Sequence, residues 1–212
     1  LIQSLNSMAL GGLFFLLSAG FSLIFGLMRI ANLSHGAYFM FGAYVGLTVL
    51  RAKGSFVLAI LAGAAAVLVL GGIIERFILR RLSGRVLAQV LVTLGIAFII
   101  SDACLLIWTG DPIPLPIPQA LRGTVRIGAV AFPIYRIAVV GLALLVAGGL
   151  WMLMEKTRIG AMIRAGVDDM QMARGLGISV SKLFTAVFCL GAALAGAGGV
   201  LGELERVADR VG

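Results

Sequence analysis

The feature that most constrains this chain is a series of six long apolar runs, each near the length a helix needs to cross a bilayer. They cover about Leu5 to Met28, Gly36 to Leu50, Phe56 to Ile74, Val86 to Trp108, Ile134 to Met154 and Leu183 to Leu201. The hydrocarbon core takes roughly 20 apolar residues of helix. Backbone in lipid must satisfy its own polar groups, and runs of this length do so as helices. With 61% of its 212 residues hydrophobic and 12% charged, the chain could not hide its apolar surface in a soluble core. The expected fold is therefore all-α, a polytopic transmembrane helical bundle of about six spans over residues 1–202. A polar loop at 155–182 separates spans five and six, and a short charged tail follows at 203–212. No cleavable signal peptide is visible, because the first run is long enough to span and lacks a basic leader region. The opening at Leu1 is expected to follow a short leader segment.

A formal net charge of +8 could suggest nucleic acid, but the basic residues lie between apolar runs and no soluble basic domain is present to hold a duplex. Their pattern instead orients the chain. Arg76, Arg80, Arg81 and Arg85 follow the third run, and Lys156, Arg158, Arg164, Arg174 and Lys182 follow the fifth. Both segments are expected on the cytoplasmic side, with the N-terminus outside. The loop from Thr109 to Pro133 then lies outside, and its Pro112, Pro114, Pro116 and Pro118 allow only extended or turn-like backbone. Arg51 and Lys53 would also be outside, a mild exception to the rule.

Glycine is abundant, with 29 residues, many of them inside the runs. Gly42 and Gly46, and again Gly198 and Gly202, are spaced to let helix backbones approach closely, and the stretch from Ala192 to Gly199 is nearly all small. A compact multi-helix body is expected from them. Cys104 and Cys189 sit inside apolar runs without ligand spacing and are expected to pack. No metal, cofactor or catalytic residue is expected.

Three segments carry more chemistry than their surroundings. Between the first two runs, Asn32, Ser34, His35 and Gly36 form a polar break before the shortest run. Two readings are open there: an interrupted helix lining a transport path, or a tight cytoplasmic turn with Asn32 or Ser34 as helix cap. His35 is expected to cap or pack. Asp102 lies well inside the fourth run, where an ionisable group is a functional candidate, although its position near the outer end also suits a bond to a neighbouring helix. The third segment is the 155–182 loop, in which Asp168 and Gln171 have the form of a capping box. A short helix through Met170 and Ala173, ending near Gly175 or Gly177, is expected to follow. Its Met170 and Met172, with Leu176 beyond, either pack back on the bundle or meet a soluble partner.

At this loop the sequence resembles the permeases of branched-chain amino acid ABC transporters, most closely the LivH-type subunit. The resemblance rests on Lys156 to Ala165, on Asp168, on Ala173 to Ile178 and on the small-residue run after them. The stretch from Gly26 to Tyr44, the pair Glu75 and Arg76 with Arg80, and Thr93-Leu94-Gly95 are also similar to that family. It covers most of residues 1–202. The resemblance implies that this chain forms half of a substrate path, shared with a second, LivM-like permease subunit. Two cytoplasmic ATPase subunits would drive it, and an external solute-binding protein would deliver substrate. It implies that Asp168, Asp169, Met170, Gln171, Met172, Ala173, Arg174, Gly177 and Ile178 belong to the ATPase-coupling helix and its flank. Asn32, Ser34, His35, Gly36, Thr93 and Asp102 are the candidates for the pathway. The chain carries no glycine-rich Walker loop, so energy must come from a partner. The family continues with further membrane helices beyond the small-residue run, whereas this sequence closes on its charged tail.

Two other readings compete. A self-contained channel or ion-coupled carrier would use Asp102 as its titrating group, and a membrane scaffold would have no pathway at all. Branched-chain or other hydrophobic amino acids, or related small amides, suit the nearly uncharged spans. A bacterial inner membrane is the expected location.

Overall fold

The computed structural model describes residues 2–28, 32–108, 124–127 and 130–211. The apolar runs are helices: α1 (Ile2–Met28), α2 (His35–Lys53), α3 (Phe56–Phe77), α4 (Val86–Trp108), α5 (Ile134–Lys156) and α8 (Val180–Val211). Two further helices, α6 (Arg158–Asp168) and α7 (Met170–Gly175), lie between α5 and α8. A 3-10 turn at Leu79–Leu82 joins α3 to α4.

Among the described residues, α1, α3, α4, α5 and α8 are long and apolar enough to cross a membrane. The sixth expected span, α2, has 19 residues and rises about 28 Å. Its His35, Tyr38, Gly42, Gly46 and Leu47 are buried, so α2 is an inner helix that its neighbours shelter from lipid. The expected count of about six is thus five apolar spans and one inner helix of mixed polarity.

α8 is the axis of the bundle and packs against α1, α2 and α3. Its apolar stretch is 61% buried, against 11% for that of α5. The small residues explain this position. A Cβ at Gly42 would stand 2.5 Å from the Gly196 Cα, and one at Gly63 would stand 2.8 Å from the Gly42 carbonyl oxygen. A Cβ at Gly191 would stand 2.6 Å from the Gly20 carbonyl oxygen. Backbones therefore touch at two levels along α8, a close packing that gains over lipid where the surroundings are all apolar. Outward faces stay apolar, with Leu106 84%, Leu87 73% and Leu145 69% exposed, as suits lipid and not water.

Helix ends follow local chemistry. α2 stops at Gly54, whose φ of 67° is left-handed, and the Ser55 hydroxyl accepts from the Leu58 amide at 3.5 Å to start α3. Arg51 and Lys53 lie in the last turn of α2, where cations favour the helix dipole. Cys104 and Cys189 are free thiols, and Cys104 packs in the main apolar cluster.

Three features refine the sequence reading. A small antiparallel hairpin, β1 (Thr124–Ile127) with β2 (Val130–Pro133), pairs Thr124 with Pro133 in the segment expected to be extended or turned. The proline run at 112–118 lies outside the described residues, as do residues 29–31 of the polar break. The 155–182 loop holds two helices and not one: Thr157 caps α6 by accepting from the Gly160 amide at 3.1 Å, and Gly160, Ile163 and Gly166 turn inward. Finally, α8 continues through Val211, so the charged tail extends the last helix.

Candidate functional site

Two clusters hold the polar side chains that the sequence singles out. The first is the entry to α2. Asn32 Oδ1 accepts from the Ser34 amide at 3.1 Å and from the Ser34 hydroxyl at 2.6 Å, closing an Asx turn. The Thr93 hydroxyl accepts from the Leu33 amide at 3.3 Å and donates to the Val90 carbonyl at 2.9 Å, which fixes the turn to α4. His35 Nε2 meets the Leu17 carbonyl at 3.0 Å, and the imidazole lies edge-on to Phe21. Asn32, Ser34, His35 and Thr93 are all buried.

These contacts decide between a surface turn and an interrupted helix. Leu17 lies near the middle of α1. A Cβ on Gly20 would meet both the Gly191 carbonyl oxygen and, at 3.1 Å, the His35 ring. Gly191 is eleven residues beyond Val180, about 17 Å along α8. On the other side, Gly46 faces the Ala59 carbonyl and Gly42 faces Gly63. Continuing that register sets His35 beside residue 70, about 10 Å before the end of α3. Helix α2 therefore begins inside the bundle. Neither Asn32 nor Ser34 caps it as a side chain: Ser34 holds the cap position with no side-chain bond, because its hydroxyl is turned to Asn32.

Among the described residues, Asn32 Nδ2 and His35 Nδ1 have no hydrogen-bond partner. The Tyr38 hydroxyl lies beside Ser34 and Asn32. Each unpaired buried polar atom costs about 1–3 kcal/mol, so this cluster favours water or a polar ligand group. Gly36 and Asp102 do not belong to it. Gly36 is an exposed residue in the first turn of α2 with open space around it. Asp102 is exposed on α4, nine residues and about 13 Å along the helix from Thr93.

The second cluster is at the end of the bundle that carries α6 and α7. The cap of α7 is Asp169, not Asp168: Asp169 Oδ1 accepts from the Gln171 amide at 2.8 Å and the Met172 amide at 3.0 Å. Asp168 is the exposed last residue of α6. The physical reason is that α6 uses Asp168 to complete its own last turn, which leaves the extended backbone needed at a cap to the next residue. Ala173 is buried and seats α7, whereas Met172 is 64% and Leu176 74% exposed. Met170 is half-buried, while Gln171 and Arg174 are exposed. Gly177 has a φ of 82°, and the Ile178 amide returns to the Ala173 carbonyl at 3.1 Å, closing the helix. Replacing Asp169 by alanine is expected to cost about 1 kcal/mol of local stability. Faster amide exchange at Gln171 and Met172, with exchange in α8 unchanged, would show it.

One network was only partly legible. Glu75, 1% exposed, accepts from the Thr185 hydroxyl at 2.7 Å and pairs with Arg80 at 3.5 Å. Arg80 also donates to Thr185 and, at 3.1 Å, to the Ser181 carbonyl. Gln89, equally buried, donates to the Leu79 carbonyl at 3.1 Å. The end of α3 is thereby tied to the start of α8 beside α7. A carboxylate near the end of an apolar run with arginine five residues on is the signal that marks it.

The family described as branched-chain amino acid transport system / permease component matches residues 3–207. The chain is 29% identical over 214 residues to the high-affinity branched-chain amino acid transport system permease protein BraD of Pseudomonas aeruginosa, covering 94% of this chain and 69% of that protein. It is 25% identical over 217 residues to LivH of Salmonella typhimurium and over 215 residues to LivH of Escherichia coli, with the same coverage. No solved structure matches it.

Proposed function

This chain belongs to the family of permease components of branched-chain amino acid transport systems, and on that premise we propose that it forms half of the translocation path of an ATP-driven amino acid importer. It is a multi-pass transport subunit of the ABC type and not an enzyme. A second, LivM-like permease subunit completes the path in this proposal. Two ATPase subunits bind on the side of α6 and α7, and an external solute-binding protein delivers the substrate. The membrane is the bacterial inner membrane. The substrates in this proposal are branched-chain or other hydrophobic amino acids or related small amides; the relatives' names specify branched-chain amino acids for those proteins.

The observation that carries the reading is α7, a short capped helix seated through Ala173 with Met172 and Leu176 turned outward. Such a helix fits an apolar groove on a soluble partner, with its flexible methionine adapting to the contact. The Asn32–Ser34–His35–Thr93 cluster supplies the polar part of the path, where the unpartnered Asn32 Nδ2 donor and His35 Nδ1 acceptor meet a substrate as it sheds water.

The energy source tests this. In vesicles holding the whole complex, uptake is expected to need ATP on the α7 side and the binding protein on the other. A proton or sodium gradient should not replace ATP. Asp102→Asn is expected to keep most of the uptake, within about twofold, because an exposed group apart from the polar cluster changes energies little. Gradient-driven uptake that Asp102→Asn abolishes would establish the ion-coupled carrier instead.

A further inference from the structure

A cavity of about 390 Å³ lies between the end of α3, the start of α4, the start of α8 and α7. It is a separate place from the α2 entry. Its walls combine three chemistries. Leu79 and Phe184 supply apolar surface. Glu75 and Gln89, each 1% exposed, supply oxygens at its buried side. Arg174 supplies a cation from α7.

The polar groups are not equally engaged. Gln89 donates its amide to the Leu79 carbonyl, which orients the side chain, and its Oε1 has no partner among the described residues. A buried acceptor without a donor asks for one. Arg80 is already held by Glu75, Thr185 and the Ser181 carbonyl. The Arg174 guanidinium, in contrast, bonds the Met170 thioether at 3.7 Å, a weak acceptor that leaves its charge to seek an anion. The buried side offers a free acceptor in Gln89 Oε1 beside the paired Glu75 carboxylate, the α7 side offers a cation without a strong acceptor, and the wall between is apolar.

We propose that this cavity binds a zwitterionic amino acid with an apolar side chain, its ammonium toward Gln89 and Glu75 and its carboxylate toward Arg174. The inference rests on the transport reading above, since the ligand class is that of the proposed substrate and the site faces the proposed ATPase side. A bound amino acid would tie α7 to α3 and α4. Accumulated product would thereby hold the coupling helix against the bundle and slow further import. The coupling is reciprocal: a complex whose α7 is drawn away should bind the amino acid more weakly.

The test uses the complete transporter. Direct binding is measured with radiolabelled leucine on the detergent-purified complex without the external binding protein. Saturable binding is expected. Leucinamide, which lacks the carboxylate, and 4-methylpentanoate, which lacks the ammonium, should each compete about tenfold more weakly or worse, as for loss of one charged hydrogen bond. Gln89→Met removes the acceptor, and Ser83→Trp fills the mouth of the cavity from an exposed position; both should weaken binding by at least that factor. In vesicles, leucine loaded on the α7 side should slow ATP-driven leucine uptake by the wild type, and Ser83→Trp should relieve the slowing.

Several results would overturn the site: no saturable binding, competition by either analogue as strong as by leucine itself, or binding and slowing that survive in Ser83→Trp. Wild-type complex that takes up no leucine with ATP would sink the functional reading, while the binding measurement would still decide the cavity. Normal uptake that is indifferent to internal leucine would sink the proposed regulation alone.

Discussion

Gly199→Ala is expected to lower the thermal unfolding temperature of the detergent-purified protein by roughly 5 °C or to prevent a monodisperse fold, whereas Gly95→Ala should leave it unchanged or raise it. A Cβ at Gly199 would overlap the Phe39 carbonyl and stand 3.0 Å from the Ala43 amide nitrogen. Both obstacles are α2 backbone, which cannot rotate aside as a side chain can. The helices must separate, and separation also loosens the nearby contact of Gly42 with Gly196. Overpacking of this kind costs about 1–3 kcal/mol, and more where backbone blocks relief. At Gly95 and Gly141 a Cβ would meet nothing within 4 Å. There alanine gains up to about 1 kcal/mol of helix propensity with no packing loss. Parallel melting curves for the three variants separate packing from propensity. Equal effects at Gly199 and Gly95 would mean that α8 is not the packed axis.

The sequence foretold this packing only in part. Spacing marked Gly42 with Gly46 and Gly198 with Gly202 as close-approach positions, and the structure sets the first pair against α8 and α3, the second against Phe39. Which helix each pair meets is a property of the assembled bundle and leaves no trace in the spacing. The same holds for depth. The polar break at Asn32 to Gly36 reads equally as a surface turn or an interrupted helix, because both need the same turn-forming residues. The bonds to Leu17 and Thr93, from distant parts of the chain, settle where it lies.

Local signals fared well where one residue type decides. Gly177 ends the α7 segment with a left-handed φ, as a glycine after a short helix should. They slipped where neighbours are alike: Asp168 and Asp169 offer the same cap, and only the reach of α6 assigns it to the second. Helix α6 itself was hidden by Gly160 and Gly166, which lower its propensity while letting it pack closely. Its cap at Thr157 and its Ile159, Met162 and Ile163 at helical spacing were present in the sequence. Thr93 joins the polar cluster from a distant helix, a juxtaposition that only the fold creates.

Replacing Met172 and Leu176 together by aspartate is expected to abolish ATP-driven uptake and co-purification of the ATPase subunits while the bundle remains folded. Both side chains are turned outward, 64% and 74% exposed, so charge at these positions meets water and not the core. The Asp169 cap and the buried Ala173 that hold α7 are untouched. Against an apolar groove the effect is different in kind, because each substitution loses an apolar contact and buries a carboxylate without a partner. At a few kcal/mol for each, the pair should weaken docking by at least about a thousandfold. Two controls make the result specific. Gln171→Ala, exposed on the same helix and less apolar in its contact, should retain most of the association. Melting of the variant permease within about 2 °C of wild type would exclude unfolding as the cause. ATPase subunits that remain bound to the double variant with uptake intact would remove α7 from the coupling interface. Loss of uptake with association retained would point instead to a role for α7 after docking, in passing the ATPase motion to the Glu75–Arg80–Thr185 tie at the start of α8.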